Sequence, residues 1–170
     1  MACRERTTHS RIGSGLHVFA AEFIHAKFHH LLSAARWHDL SAVGNGKASF
    51  VDARDIAAVA AEALTSDGHE GKTYTLTGPA ALGIAEVGSI LSETAGREIN
   101  YIDVPESAAR DGMLQAGLPQ WQVEPLLELH ATNKQNRWSA VTSDVEKVTG
   151  TPPIDFAQFA RDYAEKFRAS

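Results

Sequence analysis

With 170 residues, 44% of them apolar and 22% charged, the chain has the length of one domain, or of two only if both are small, and the balance of a globular protein that can bury a core. Sixteen Lys/Arg against 21 Asp/Glu leave a formal charge of −5, which offers no electrostatic footprint for nucleic acid. No apolar stretch approaches the ~20 residues of a membrane span, and the lone Cys3 excludes internal disulfides and thiolate zinc clusters, as suits a reducing cytoplasm.

Charge is unevenly divided: residues 1–40 carry a net +2 and the remainder −7, and six of the eight histidines (His9, His17, His25, His29, His30, His38) lie in that first part. The opening, 1–15, is polar, has no apolar core of a secretory signal and reads as a disordered start. Over residues 16–37, Phe19, Phe23, Phe28, Leu31 and Leu32 recur at helical spacing. Gly44-Asn45-Gly46 forces a turn, and residues 47–51 read as a short strand. Asp55 is placed to cap a helix with Ile56, Val59, Ala60, Ala63 and Leu64 on its apolar face, stopped by Ser66-Asp67-Gly68.

Residues 73–77 (Thr-Tyr-Thr-Leu-Thr) are β-branched and aromatic and predict a strand ended by Gly78-Pro79. Ile84, Val87, Ile90 and Leu91 predict a helix closed by a left-handed Gly96. Residues 99–104 predict another strand, stopped by Pro105. Helices follow over 106–116 and from Pro119 towards Lys134, where Pro125 should break or kink the chain. A short helix near 143–149 ends at Gly150, and Asp155 caps a last one with Phe156, Phe159, Tyr163 and Phe167 on one face. Helices alternating with strands predict an α/β fold with crossover connections and a helical C-terminal half.

Several chemical motifs fail on inspection. Gly13-Ser14-Gly15 lacks a preceding strand, and Val18 stands where a dinucleotide loop needs its third glycine. Gly44 to Lys47 is not a phosphate loop, because Ser41 and Ala48 occupy the required Gly and Ser/Thr positions. His25 and His29 share a helical face with Glu22, but Ala26 replaces the zincin base and no second Glu-x-x-His completes a di-iron site, so no metal is expected. Cys3 has no paired base, and Ser14 has no G-x-S-x-G context. Within residues 50–57 (Phe-Val-Asp-Ala-Arg-Asp-Ile-Ala), Asp52 and Arg54 are spaced to pair and fix a turn. A carboxylate beside an arginine stays ionised and is poorly suited to proton transfer.

Residues 50–57, then 71–79 (Gly-Lys-Thr-Tyr-Thr-Leu-Thr-Gly-Pro), resemble the C-terminal half of atypical short-chain dehydrogenases of the NmrA-like type. The resemblance continues through Glu86-Val87, Gly96-Arg97, residues 101–105, 144–153 and 156–160. It implies the C-terminal part of a Rossmann-type NAD(P)-binding fold over 16–170: the last sheet strand at 73–77, a small mixed α/β substrate lobe and a helical C-terminus. It also implies an NAD or NADP cofactor and a quinone or similar small-molecule acceptor. The glycine-rich loop that would bind the dinucleotide has no counterpart, and the Tyr-x-x-x-Lys pair of typical members is absent: Tyr74 is followed by Gly78, Tyr101 by Pro105 and Tyr163 by Phe167.

By this resemblance the chain is expected to be the substrate lobe of an NAD(P)H-dependent oxidoreductase, incomplete as an enzyme by itself. The alternatives are a non-catalytic NAD(P)-sensing regulator and an interaction module that self-associates through an exposed sheet edge. By position after strands, Phe50, Thr77, Gly78 and Pro79 are the cofactor-facing candidates. Phe19, Phe23 and Trp121 are candidates for the acceptor pocket, with plain core packing as the rival reading of those aromatics.

Overall fold

The computed structural model describes residues 38–167. Within them, strand β1 (His38–Ser41) and strand β4 (Asn100–Asp103) pair in parallel, with His38 opposite Asn100 and Ser41 opposite Asp103. A parallel pair needs a long crossover, and here it contains two helices and a small antiparallel ladder. That ladder joins β2 (Lys47–Ala48) to β3 (Leu82–Gly83), while Ala48 also bridges to Trp138. The crossover helices are α1 (Ala53–Thr65) and α2 (Ile84–Ala95). After β4 come α3 (Glu106–Gln115), α4 (Gln120–Lys134), α5 (Asp144–Thr149), α6 (Phe156–Asp162) and α7 (Ala164–Phe167).

Two cores hold these elements. In the first, Val87 and Leu91 of α2 meet Ile99, Ala160 and Phe167. Burying each of the large aliphatic side chains is worth about 2 kcal/mol. Phe156, Phe159 and Tyr163 pack against this cluster as the aromatic spacing predicts, with ring centroids 5.6 Å and 4.9 Å apart along the series. In the second, Ala42 beyond β1, Ala109 of α3, and Val123 and Leu127 of α4 come together. The left-handed Gly96 ends α2 as expected (φ +68°), and Asp155 caps α6 by accepting from the Gln158 N–H.

Four expectations need correction. Residues 73–77 belong to no strand: Asp144 accepts from the Thr75 N–H at 2.9 Å, and the Thr142 hydroxyl donates to the Thr75 carbonyl, so side chains stand where a ladder would be. β propensity describes a fit to a pleated surface and does not supply the neighbour that makes a strand. Asp52, not Asp55, caps α1: Asp52 is extended (φ −75°, ψ 140°) and accepts from the Arg54 N–H at 2.8 Å, whereas Asp55 lies in the first turn. Helix α4 is not broken at Pro125 but runs through it, and Pro125 withholds the donor that the Trp121 carbonyl would otherwise take. The strand expected over 47–51 stops at Ala48, where Ser49 turns its N–H and its hydroxyl to the Trp138 carbonyl.

Candidate functional site

The loop entering α1 and the turn after residues 73–77 form one structure. The Phe50 carbonyl oxygen occupies the place that a Cβ on Gly78 would take, so only glycine lets the two backbones meet. Beside it, buried Thr77 accepts from the Thr142 N–H at 2.9 Å. Phe50 is half-buried against Phe156 at 5.7 Å, while Pro79 is exposed. Of the four cofactor-facing candidates, Phe50, Thr77, Gly78 and Pro79 are therefore brought together. The Thr77 hydroxyl and the open side of Gly78 are used within the fold itself.

Asp52 anchors the same loop. Arg54 grips it with a two-pronged contact, Nε to Oδ1 at 3.0 Å and an Nη to Oδ2 at 2.9 Å, and sends its other Nη to Asp162 at 2.7 Å. Burial pushes the Asp52 carboxyl up, but the Arg54 side-chain and backbone hydrogen bonds outweigh it and hold it below the usual carboxylate range. Asp55, one turn on, is raised by burial, against the opposing bond from the Ile154 N–H at 2.9 Å. Arg54 thus ties the loop to α6, as the expected turn-fixing role requires, and neither Asp52 nor Arg54 is poised for proton transfer.

Sequence reasoning missed a second group, at the C-terminal ends of the parallel strands, the side on which α/β sheets present ligands. Asp103 accepts from the Gly44 N–H at 2.9 Å and from the Tyr101 hydroxyl at 3.0 Å. These bonds, with the nearby Lys134 charge, keep it below the ordinary carboxylate range. His130 accepts from the Ala42 N–H at 3.4 Å through Nδ1, and burial lowers its pKa. The polar strand His38–Ser41 hid this group, because nothing in its side chains announced a strand beside Asp103.

Trp121 is 73% exposed on α4 and belongs to neither core. Phe19 and Phe23 lie outside the described residues, as do Gly13-Ser14-Gly15, Cys3 and the Glu22, His25 and His29 set. Among the described residues no group of three His, Cys, Asp or Glu could hold a metal ion, and no helix is long and apolar enough to cross a membrane. The described residues also contain no glycine-rich turn between a strand and a helix that would receive a pyrophosphate.

No family model matches the chain. It is similar to an NAD(P)H azoreductase of Xenophilus azovorans, 43% identical over 128 residues, which is 75% of this chain and 45% of that protein. The matched stretch is consistent with the C-terminal half of an NmrA-like reductase. Among solved structures, the triphenylmethane reductase of Citrobacter sp. in complex with NADP(H) matches with a TM-score of 0.69 at 25% identity, over 76% of this chain and 45% of that one. An NADPH-dependent quinone oxidoreductase of Escherichia coli shares the fold, with a TM-score of 0.66 at 24% identity over 72% of this chain and 45% of the other. The chain thus spans a little under half the length of these relatives, and its fold is the C-terminal part of a Rossmann-type NAD(P)-binding architecture.

Proposed function

We propose that this chain forms the substrate-side lobe of an NAD(P)H-dependent reductase that acts on a quinone, azo dye or similar small conjugated acceptor. The observation that carries the reading is the 43% identity to the NAD(P)H azoreductase, far above that to the two structures. NAD(P)H would supply the hydride, and the protein's part is orientation and exclusion of water. In this reading Phe50 and residues 77–79 form the wall against the nicotinamide end of the cofactor. Their internal bonds keep that wall rigid. Exposed Trp121, with Phe19 and Phe23, contacts the acceptor. A reducing cytoplasm is the compartment that we propose.

The experiment joins the part of the azoreductase that this chain does not match to residues 1–170 in one polypeptide. NADPH oxidation is then followed with a quinone and with an azo dye. Acceptor-dependent oxidation, reduced at least about tenfold by Trp121→Ala through KM, supports the assignment. A folded chimera that binds NADPH and reduces neither acceptor contradicts it.

A further inference from the structure

The turn that leaves β1 is lined by more polar atoms than the fold uses. His130, Asn133 and Lys134 stand at i, i+3 and i+4 on α4 and so share one face. That face lies along residues 42–46. His130 takes the Ala42 N–H, Lys134 Cε lies 3.4 Å from the point where a Cβ on Gly44 would stand, and the Asn133 carbonyl abuts Gly46. Asp103, at the end of β4, reaches the same turn, with Oδ2 3.8 Å from that point at Gly44. Gly44 has a left-handed backbone (φ +55°), and its missing side chain leaves room between Lys134 and Asp103.

Four groups here are left over. Burial favours the neutral His130 ring, and its Nδ1 is an acceptor, so its hydrogen sits on Nε2, which has no partner among the described residues. Asn133 is 7% exposed, and its buried Oδ1 has no hydrogen-bond partner, which native folds rarely tolerate. Both bonds to Asp103 end on Oδ1, so Oδ2 accepts nothing among the described residues. Lys134 acts on Asp103 through its field and forms no ion pair among them. The turn is therefore faced by two donors and two acceptors, and the charges of Asp103 and Lys134 cancel.

We propose that the 42–46 turn, Asp103 and the His130/Asn133/Lys134 face of α4 bind a small neutral aromatic molecule through a carboxamide group. A carboxamide brings two lone pairs and two N–H donors. Its oxygen accepts from His130 Nε2 and Lys134, and its nitrogen donates to Asp103 Oδ2 and to the orphaned Asn133 Oδ1. A carboxylate brings no N–H for those two acceptors and sets a like charge beside Asp103. Tyr101 lies two residues before Asp103 on the same strand face and offers its ring to the aromatic body. The place is the carboxyl end of β1 and β4, where open α/β sheets bind ligands. His130 and Trp121 are about two and a half turns apart on opposite faces of α4. The site is thus separate from the acceptor contact at Trp121 and does not depend on the reductase reading.

Benzamide titrated into residues 1–170, with NMR at the Gly44 amide and the His130 ring, tests the site. The ring should show its hydrogen on Nε2, and both signals should shift saturably with a Kd of about 1–10 mM, as suits so small a ligand. N,N-Dimethylbenzamide, which has no N–H, and benzoate should each bind at least about tenfold more weakly. Lys134→Met, at an exposed position, should leave the melting temperature unchanged and weaken benzamide by about fivefold or more. The absence of a saturable shift up to about 50 mM benzamide overturns the proposal, as does equal binding of the dimethyl compound or tighter binding of benzoate. Benzamide binding that Lys134→Met leaves unaltered, or that shifts only Phe50 or Trp121, overturns it as well.

Discussion

The carbonyl of Phe50 sits where a side chain on Gly78 would begin, and this backbone-to-backbone approach locks the entry to α1 onto the turn after residues 73–77. The contact fixes both halves of the proposed cofactor wall at one point. A methyl group there meets backbone, which cannot rotate away. Gly78→Ala should therefore destabilise the protein by about 2–3 kcal/mol. Gly112→Ala is the internal control: Gly112 lies inside α3 with open space around its Cα, so alanine should stabilise by about 0.5–1 kcal/mol. Urea unfolding of the two variants gives the comparison, and equal effects would contradict the account.

Arg54 is held by two carboxylates from distant parts of the chain, Asp52 and Asp162. Arg54→Ala leaves the buried Asp52 without its charged partner. The Arg54 side chain is 44% exposed, so water screens part of the loss and the cost should be about 1–2 kcal/mol. Arg54→Lys keeps the charge but not the fork and should recover less than half of it. Thermal unfolding checks the order wild type, lysine, alanine.

Asp52 and Asp55 should move stability in opposite directions with pH. Arg54 holds Asp52 below the ordinary range, so its contribution is whole above about pH 4, near the unfolded value, and is lost as pH falls through the folded value. Burial raises Asp55, so its contribution is whole below about pH 4 and is lost as pH rises through the folded value. The stability of Asp55→Asn relative to the unmodified chain should accordingly improve between about pH 4 and pH 7. Asp52→Asn should be closest to the unmodified chain at the acid end. Urea midpoints across that range show whether the two differences diverge.

Residues 73–77 are held from one side by Thr142 and Asp144, and Thr77 is the buried acceptor for the Thr142 N–H. Thr77→Val keeps the shape and removes that acceptor, which should cost about 1–2 kcal/mol. Amide hydrogen exchange should show the Thr142 amide losing its protection. Protection that survives the substitution would mean that another group accepts from it.

Much of the helical architecture was legible because helices carry their own signals. The Gly96 cap, the Asp155 cap and the Phe156, Phe159, Tyr163, Phe167 face all depend on nearby residues and all occur. Strands were harder. Residues 73–77 have strand composition without a strand partner among the described residues, while His38–Ser41 has polar composition and does pair. Pairing is a property of what lies alongside, so composition misled in both places. The same limit concealed the Asp103 group, which exists only because β1 brings Gly44 to the end of β4. At the start of α1, two aspartates competed for the cap, and the extended backbone at Asp52 decided between them.

The central claim is that this lobe shapes one wall of a cofactor cleft without itself holding the dinucleotide. Titration of residues 1–170 with NADPH, followed by nicotinamide fluorescence, tests it most directly. The account predicts no saturable binding below about 100 µM, and a Kd of about 10 µM or tighter would contradict it.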